Sequence, residues 1–271
     1  MKRNSVTSTA VGLMVLSTFA LGGCSLFKGD EKQPLPGERV SVLELQKALE
    51  PTDAALKAEG FVAPAPWKND YWTQAGGYPN HNLQNLSLSD APLKKMWSAD
   101  IGTGGSDEFP LTSQPVIFEG LIYTLDADST VKAFDAKTGK VVWKNTIRPA
   151  KEDENVIGGG LAVTAGMLYA TNGYSELLAL NPKKGGIYWR QKLTAPSRAA
   201  PTVLDNKVYV MTLDNHLTAF DSYSGKVVWK YEGMSETAGL VAAASPAVDN
   251  GIVIAPMSSG EVAALRAENG T

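Results

Sequence analysis

Two stretches of the chain nearly repeat each other: AFDAKTGKVVW at 133–143 and AFDSYSGKVVW at 219–229. In each, an aspartate is followed four residues later by a glycine and then by a Val-Val-Trp run. An Asp side chain can cap a turn by accepting hydrogen bonds from backbone N–H groups, and Gly tolerates the left-handed conformation that closes it. The Val-Val-Trp run is typical of a strand. Both stretches therefore predict a hairpin with a tryptophan at a fixed place.

The same pattern recurs along the chain with a regular period. Four tryptophans, at 97, 143, 189 and 229, are spaced by 46, 46 and 40 residues. Counting back from the last three, seven positions match in all three copies without gaps; they include Tyr123, Tyr169 and Tyr209. A fourth copy follows from Pro246 to Gly270, with Arg266 at the aspartate position. A period of this length is typical of propeller repeats.

Each repeat reads as four short antiparallel strands. In the third repeat the predicted strands are Pro201–Val203, Val208–Thr212, His216–Asp221 and Val227–Tyr231, separated by turn dipeptides. With a lone outer strand at Leu93–Asp100 and three strands in the last copy, we expect sixteen strands. The fold class is therefore all-β, a propeller of four-stranded antiparallel blades over residues 93–271.

The repeated stretch resembles the tryptophan-docking motif of pyrroloquinoline-quinone-type (PQQ-type) propellers. The resemblance implies large indole rings buried between adjacent blades. The docking residues are expected to be the four tryptophans, with caps and turn glycines at Asp135, Asn181, Asp221, Gly139, Gly185 and Gly225. Such a motif specifies a fold and says little about function.

The N-terminus predicts export and lipidation. Lys2 and Arg3 precede an apolar run at Val11–Leu21, which is too short to span a bilayer and fits a signal peptide over residues 1–23. Leu-Gly-Gly-Cys at 21–24 resembles the bacterial lipobox, which implies that Cys24, the single cysteine of the chain, carries acyl chains such as palmitate. A serine at position 25 implies sorting to the outer membrane, on its periplasmic face. The alternative is an ordinary signal peptide with a chance cysteine.

Residues 24–92 are interpreted as a lipidated tether, because prolines interrupt them repeatedly. One short helix is predicted after Ser41, with Pro51 ending it; it packs on the domain or lies in solvent, or else serves a partner. An aromatic group follows, which either docks on the domain or binds peptide or glycan: Trp67, Tyr71, Trp72 and Tyr78.

The sequence predicts no catalytic, cofactor-binding or metal-binding residues. The formal charge is −3 for the whole chain, and residues 1–23 carry Lys2, Arg3 and no acid, so the remainder is more acidic still. That balance lacks the basic footprint of nucleic-acid binding. His81 and His216 stand alone, and His216 is predicted to be exposed on a strand. Gly158-Gly159-Gly160 lacks the Lys-Ser/Thr of a phosphate loop; we expect it to serve close packing near the propeller axis.

Nearly all of the chain after residue 23 resembles one family: the outer-membrane β-barrel assembly factor B (BamB) lipoproteins, of the α-proteobacterial type. The resemblance is carried by PLPGER at 34–39, QAGGYP at 74–79, WSADIG at 97–102, RAAPTV at 198–203, ETAGL at 236–240 and SSGE at 258–261. It implies an eight-bladed ring, of which sixteen strands are half. The register would place a further tryptophan at position 274, which indicates a C-terminally truncated chain.

The family resemblance also implies a function. The protein would be a non-catalytic scaffold that binds the periplasmic POTRA domains of the central β-barrel assembly subunit and helps unfolded outer-membrane proteins reach it. Two loops, Thr194–Ala200 and Met234–Ser245, would form the partner surface, with Arg198 and Glu236 as candidate contacts. The alternatives are a PQQ-dependent dehydrogenase relative and a periplasmic ligand-binding or sensor propeller.

Overall fold

The computed structural model describes residues 63–164, 166–234 and 244–271. Their regular elements are fifteen strands in four antiparallel sheets. The first blade is β1 (Val116–Phe118), β2 (Leu121–Leu125), β3 (Thr130–Asp135) and β4 (Val141–Thr146). The second is β5 (Gly159–Val163), β6 (Leu168–Asn172), β7 (Glu176–Leu180) and β8 (Ile187–Lys192). The third is β9 (Thr202–Leu204), β10 (Lys207–Met211), β11 (His216–Asp221) and β12 (Val227–Glu232). The last is β13 (Ala247–Asp249), β14 (Ile252–Pro256) and β15 (Val262–Arg266).

Every sheet is a simple meander in which consecutive strands pair in chain order. The register repeats from blade to blade: an alanine of the third strand pairs with the tryptophan of the fourth, as in Ala133 with Trp143. A bulge follows that alanine in each of the first three blades. The predicted all-β class and the four-stranded antiparallel blade are confirmed.

The turns form where the sequence predicts them. In the third repeat, the observed strands agree with the predicted ones to within one residue at each end. Asp205, Asn206 and Asn215 have positive φ, of 49°, 59° and 59°. Short polar side chains tolerate this left-handed conformation better than other non-glycine residues do. The tight hairpins thus follow directly from the local sequence.

The outermost strand is where the prediction fails. Residues 93–100 form no strand, so the described part of the chain has fifteen strands and not sixteen. A strand needs a ladder partner for its backbone groups, and none of the described strands pairs with this segment. Leu93 and Met96 are 78% and 80% exposed, yet the indole of Trp97 is half-buried against the first blade.

The core lies within and between the blades. The second and third strands of the second blade, β6 and β7, are buried along their whole length, whereas the outer strand β8 consists of exposed and half-buried residues. β5 packs against β1 and β2 of the preceding blade and against β9 of the following one. One buried cluster accordingly joins Val116 and Tyr123 of the first blade to Leu161 and Leu178 of the second.

The segment before the first blade belongs to the same compact unit, which comprises residues 62–271. Within it, Trp72 bridges to Ile117 of β1, and Gln74 bridges to Gly77 in a short hairpin. The predicted signal peptide, Cys24 and the predicted helix lie outside the described residues. Among the described residues no helix has the length and apolar character needed to cross a membrane.

Candidate functional site: inter-blade docking and the inner-strand clasp

The predicted capping residues lie at the turn between the third and fourth strands. Asp135 Oδ1 accepts hydrogen bonds from the backbone N–H of Thr138 at 2.8 Å and of Lys137 at 3.1 Å. Asn181 makes the equivalent contacts with the two residues that follow Pro182, each at 2.9 Å. Asp221 accepts from the N–H of Ser224 at 2.7 Å. An amide thus does the same work in the second blade as carboxylates do in the first and third.

These hydrogen bonds change the acidity of the capping carboxyls. The hydroxyl and the N–H of Thr138 lower the pKa of Asp135, and those of Ser224 lower the pKa of Asp221, because hydrogen bonds to the ionised form favour it. Both carboxylates are therefore held in the charged form and bonded to the turn.

The tryptophans dock on the turn glycines of the following blade. A Cβ added to Gly185 would lie 2.4 Å from Trp143 Cε3, well inside van der Waals contact. The same closeness, at 2.6–2.8 Å, joins Trp97 to Gly139, Trp189 to Gly225 and Trp229 to Gly270. Gly185 has φ +73°, which favours glycine, and the indole leaves no room for a Cβ at this position. Trp143, Trp189 and Trp229 therefore lie across the three boundaries between consecutive blades, and Trp97, from the segment before the first blade, packs on that blade in the same way.

Three of the four docked indole nitrogens also donate a hydrogen bond to the blade that the indole contacts. Trp143 Nε1 donates to Pro182 O at 2.8 Å, and Trp97 and Trp229 donate at 3.0 and 3.1 Å to the equivalent carbonyls. Trp189 Nε1 has no acceptor among the described residues. The carbonyl that it would use, Ser222 O, instead accepts from the hydroxyl of Tyr169 at 3.2 Å.

In each of the first three blades, a tyrosine packs against the tryptophan of the same blade. Tyr123, Tyr169 and Tyr209 have ring centroids 5.9–6.1 Å from the indoles of their own blades, in tilted geometry. Burial raises the pKa of each of these phenols to about 12. The three rings are almost fully buried, so this position is part of the core.

A second capping position was not recognised from the sequence. Asp126, Asn172 and Thr212 are buried at the end of each second strand, in the same repeat position. Asp126 Oδ1 accepts from the N–H of Thr130 at 2.7 Å, and Asn172 Oδ1 accepts from the N–H of Glu176 at 3.0 Å. The signal was available as a repeated short polar residue, but the change of residue type between copies hid it.

The position of His216 is enclosed, contrary to the predicted exposure. Its side chain is 22% exposed, with Nδ1 3.1 Å from Asp214 Oδ2 and Nε2 3.5 Å from Glu232 Oε1. The equivalent Glu176 is 9% exposed and pairs with Arg190 at 2.7 Å. The sequence prediction failed because charged partners come from the neighbouring fourth strand, and they let a titratable residue be buried.

Gly158, Gly159 and Gly160 lie where backbones approach closely. A Cβ on Gly160 would be 2.5 Å from Ala200 Cα, just before β9 of the next blade. A Cβ on Gly158 would be 2.6 Å from Ser197 O. Arg198 is half-buried beside Gly158, and Glu236 and Cys24 lie outside the described residues.

Residues 72–79, which we call the clasp segment, contact the innermost strand of all four blades. Trp72 exchanges two backbone hydrogen bonds with Ile117, at 2.9 and 2.7 Å. Thr73 O accepts from Val163 N at 2.8 Å, and Pro79 O accepts from Val248 N at 2.7 Å. The Gln74 side chain serves the remaining blade, where its amide bonds to both backbone groups of Val203, at 2.9 and 2.7 Å.

Two grooves flank the end of β9. The first, about 310 Å³, is lined by Trp67, Tyr78, Leu204 and the end of β13, together with Pro79, Asn80, Asn82 and Gln84. The second, about 460 Å³, lies between the second and third blades and is lined by Tyr169, Leu204 and Tyr223 among others. Within the described ranges, no three or more His, Cys, Asp or Glu side chains gather to hold a metal ion.

Comparison with known proteins places this architecture. Residues 94–271 match the family model described as outer membrane protein assembly factor BamB. An uncharacterized protein of Rickettsia conorii is 35% identical over 58% of this chain and 38% of its own length. BamB of Yersinia pestis is 25% identical over 65% of this chain and 46% of its own. The quinoprotein alcohol dehydrogenase PedH of Pseudomonas putida is also 25% identical, over 74% of this chain and 28% of its own.

A solved structure agrees with the fold. The crystal structure of BamB from Moraxella catarrhalis superposes with a TM-score of 0.52 at 19% identity, covering 60% of this chain and 48% of that one. The chain thus spans less than half the length of these curated relatives. Since the family model covers about two thirds of the sequence and the blades have the matching architecture, the chain belongs to the family of outer membrane protein assembly factor BamB, with PQQ-type propeller repeats.

Proposed function

We propose that this protein is a non-catalytic scaffold lipoprotein of the outer-membrane β-barrel assembly machinery, of the α-proteobacterial type. The observation that carries the proposal is the match of residues 94–271 to the assembly-factor family. In the proposed role it is anchored through Cys24 at the periplasmic face of the outer membrane. It binds the POTRA domains of the central assembly subunit and assists the folding and insertion of unfolded outer-membrane proteins.

The structure supports a scaffold because the repeated turn residues, and the buried Glu176 beside them, have structural partners. Asp135 and Asp221 hold turns, and Glu176 is paired with Arg190. An aspartate that recurs in two repeats, bonds its own turn and is replaced by Asn181 in a third has a structural role there and is not a unique catalytic acid. What the described blades offer to a partner is a surface of loops between them, of which Thr194–Ala200 is described in full.

The loop Thr194–Ala200 is held firmly enough to present such a surface. The Ser197 hydroxyl is fully buried and donates to Met211 O at 2.8 Å. Thr171 Oγ1 donates to Ala199 O at 2.7 Å. Arg198 is therefore part of a loop whose conformation is set before a partner arrives, which reduces the entropy lost on binding. Glu236, in the second loop, stays a candidate contact.

Co-purification tests the proposal. The tagged full-length protein, produced in its own cells and purified from detergent-solubilised membranes, should capture the central assembly subunit. Arg198→Ala should weaken that capture several-fold, whereas Lys183→Ala, at an exposed docking turn, should leave it unchanged. Failure of the wild-type protein to capture the subunit would refute the scaffold role, and equal capture by both variants would remove Arg198 from the interface.

A quinone-dependent dehydrogenase is the second candidate, since PedH is as similar to this chain as BamB of Y. pestis is. The described residues do not fit a quinone–Ca²⁺ site. They contain no cluster of three or more carboxylate, His or Cys side chains, and the repeated aspartates accept hydrogen bonds from their own turns. Alcohol-dependent dye reduction by the full-length protein after addition of the quinone and Ca²⁺ would favour this candidate.

A further inference from the structure

The clasp segment bonds to the same repeat position in all four blades. Ile117, Val163, Val203 and Val248 each lie two residues after the start of the corresponding repeat, at Pro115, Leu161, Pro201 and Pro246. In each case the N–H of this residue donates to the clasp segment, at 2.7–2.8 Å. Four amides in four separate sheets are thus satisfied by one stretch of eight residues.

The acceptor positions lie on strand edges. β1, β5, β9 and β13 each pair with a single neighbouring strand of their own sheet, so their other edge carries unpaired backbone groups. Unpaired edges bind extended peptides through their main-chain groups. The clasp segment supplies such partners without forming a continuous strand, because a turn at Gln74–Gly77 directs it from blade to blade.

Gln74 takes the place of a backbone peptide group. Its Nε2 donates to Val203 O and its Oε1 accepts from Val203 N, so the side-chain amide reproduces the pairing of a strand residue. The side chain is buried, with 3% of the residue exposed. The position requires glutamine, because glutamate has the same size but lacks the donor, and asparagine is one methylene shorter.

We propose that the inner edges of the four blades form a peptide-acceptor site and that the clasp segment is its intramolecular ligand. Gln74 is the positioning residue that keeps the ligand in register. In consequence, the segment previously interpreted as part of the tether ties the four blades together at their inner ends. The site is independent of the partner surface proposed above.

Amide hydrogen exchange in the full-length protein tests this proposal. Gln74→Ala should accelerate exchange at Ile117, Val163, Val203 and Val248 together, by about tenfold or more, since losing the two buried bonds releases the whole segment. Gln84→Ala, five residues beyond the clasp segment and at an exposed glutamine, is the control and should change these rates less than twofold. Acceleration confined to Val203 would overturn the proposal, because it would show a purely local bond.

Two further measurements keep the test decisive if Gln74→Ala folds poorly. Gln74→Glu retains the acceptor for Val203 N and loses the donor, so it should give a smaller acceleration that is still shared by all four amides. A synthetic peptide of residues 68–82, added in excess to either variant, should restore slow exchange at all four, whereas a scrambled peptide should not. Unchanged rates with the native peptide would refute an acceptor site.

Discussion

Replacing Gly185 with alanine measures the indole docking directly. Its added Cβ would lie 2.4 Å from Trp143 Cε3, where ordinary contacts begin at 3.4 Å, so ring or backbone must move by about 1 Å. The indole resists, since Nε1 is bonded to Pro182 O at 2.8 Å and Tyr123 packs 6.1 Å behind it. Overpacking of this kind destabilises by about 1–3 kcal/mol. The left-handed φ of +73° adds about 1–2 kcal/mol.

Gly120 provides a matched control. It has φ +76°, almost the same backbone strain, but a Cβ there would meet nothing within 4 Å. We therefore expect Gly120→Ala to lower the free energy of unfolding by about 1–2 kcal/mol, and Gly185→Ala to lower it by about 2–5 kcal/mol. Urea denaturation followed by tryptophan fluorescence and circular dichroism gives both values under identical conditions.

The difference between the two variants, about 1–3 kcal/mol, is the contribution of the crowded indole. It should shrink when Gly185→Ala is made in a Trp143→Phe background, because the smaller ring leaves room for the methyl group. Equal losses for Gly120→Ala and Gly185→Ala would refute the reasoning, since they would leave backbone strain as the sole effect. No reduction in the Phe background would do the same.

Three further outcomes follow from the docking geometry. Trp143→Phe should destabilise more than Trp189→Phe by about 1 kcal/mol, measured by urea denaturation, because only the first indole nitrogen has a hydrogen-bond acceptor. Asp221→Asn should flatten the acid limb of the stability–pH profile: the folded carboxyl has a lowered pKa, so its stabilisation is present above the ordinary value of 3.8 and is lost as the pH falls through the folded pKa. The amide at Asn181 shows that the turn itself can remain capped; an unaltered acid limb would contradict the assignment. Tyr169→Phe should reduce the loss of stability between pH 10 and about 12. Burial raises the pKa of the folded phenol from 10.0 to about 12, so in this range the tyrosinate forms in the unfolded chain and favours unfolding. Alkaline unfolding curves measure this effect, and identical curves for the two proteins would contradict it.

The repeat unit could be predicted from the sequence because residues close together in the chain determine its turns and strands. A capping Asp, a turn Gly and a Val-Val-Trp run occupy neighbouring positions, and each turn is decided by its own residues. The strands of the third blade were therefore placed to within one residue. The same locality failed at residues 93–100, because a strand at the edge of a blade depends on a partner far away in the chain.

Docking of Trp72 and Tyr78 on the domain is one of the two interpretations of the sequence, but the strands that the clasp segment contacts could not be predicted, for a related reason. Gln74 bonds to Val203, 129 residues later, and its neighbours bond to three other blades. Nothing in QAGGYP at 74–79 indicates which strands its carbonyls will meet, since backbone hydrogen bonds carry no signature in side-chain type. The enclosure of His216 has the same origin: its partner Glu232 comes from the neighbouring strand.

Because each indole packs on the turn glycine of the next repeat, all successive repeats are joined by the same contact. Every tryptophan packs on the following repeat, and every turn glycine receives the indole of the preceding one. A duplicated repeat would carry both its own tryptophan and its own turn glycine. Gain or loss of whole repeats by unequal recombination would therefore preserve the tryptophan–glycine contact at every boundary. The tryptophan and the glycine that it contacts are 42 residues apart at Trp143 and Gly185 but only 36 apart at Trp189 and Gly225, so the loops between them can differ in length while the contact itself is kept.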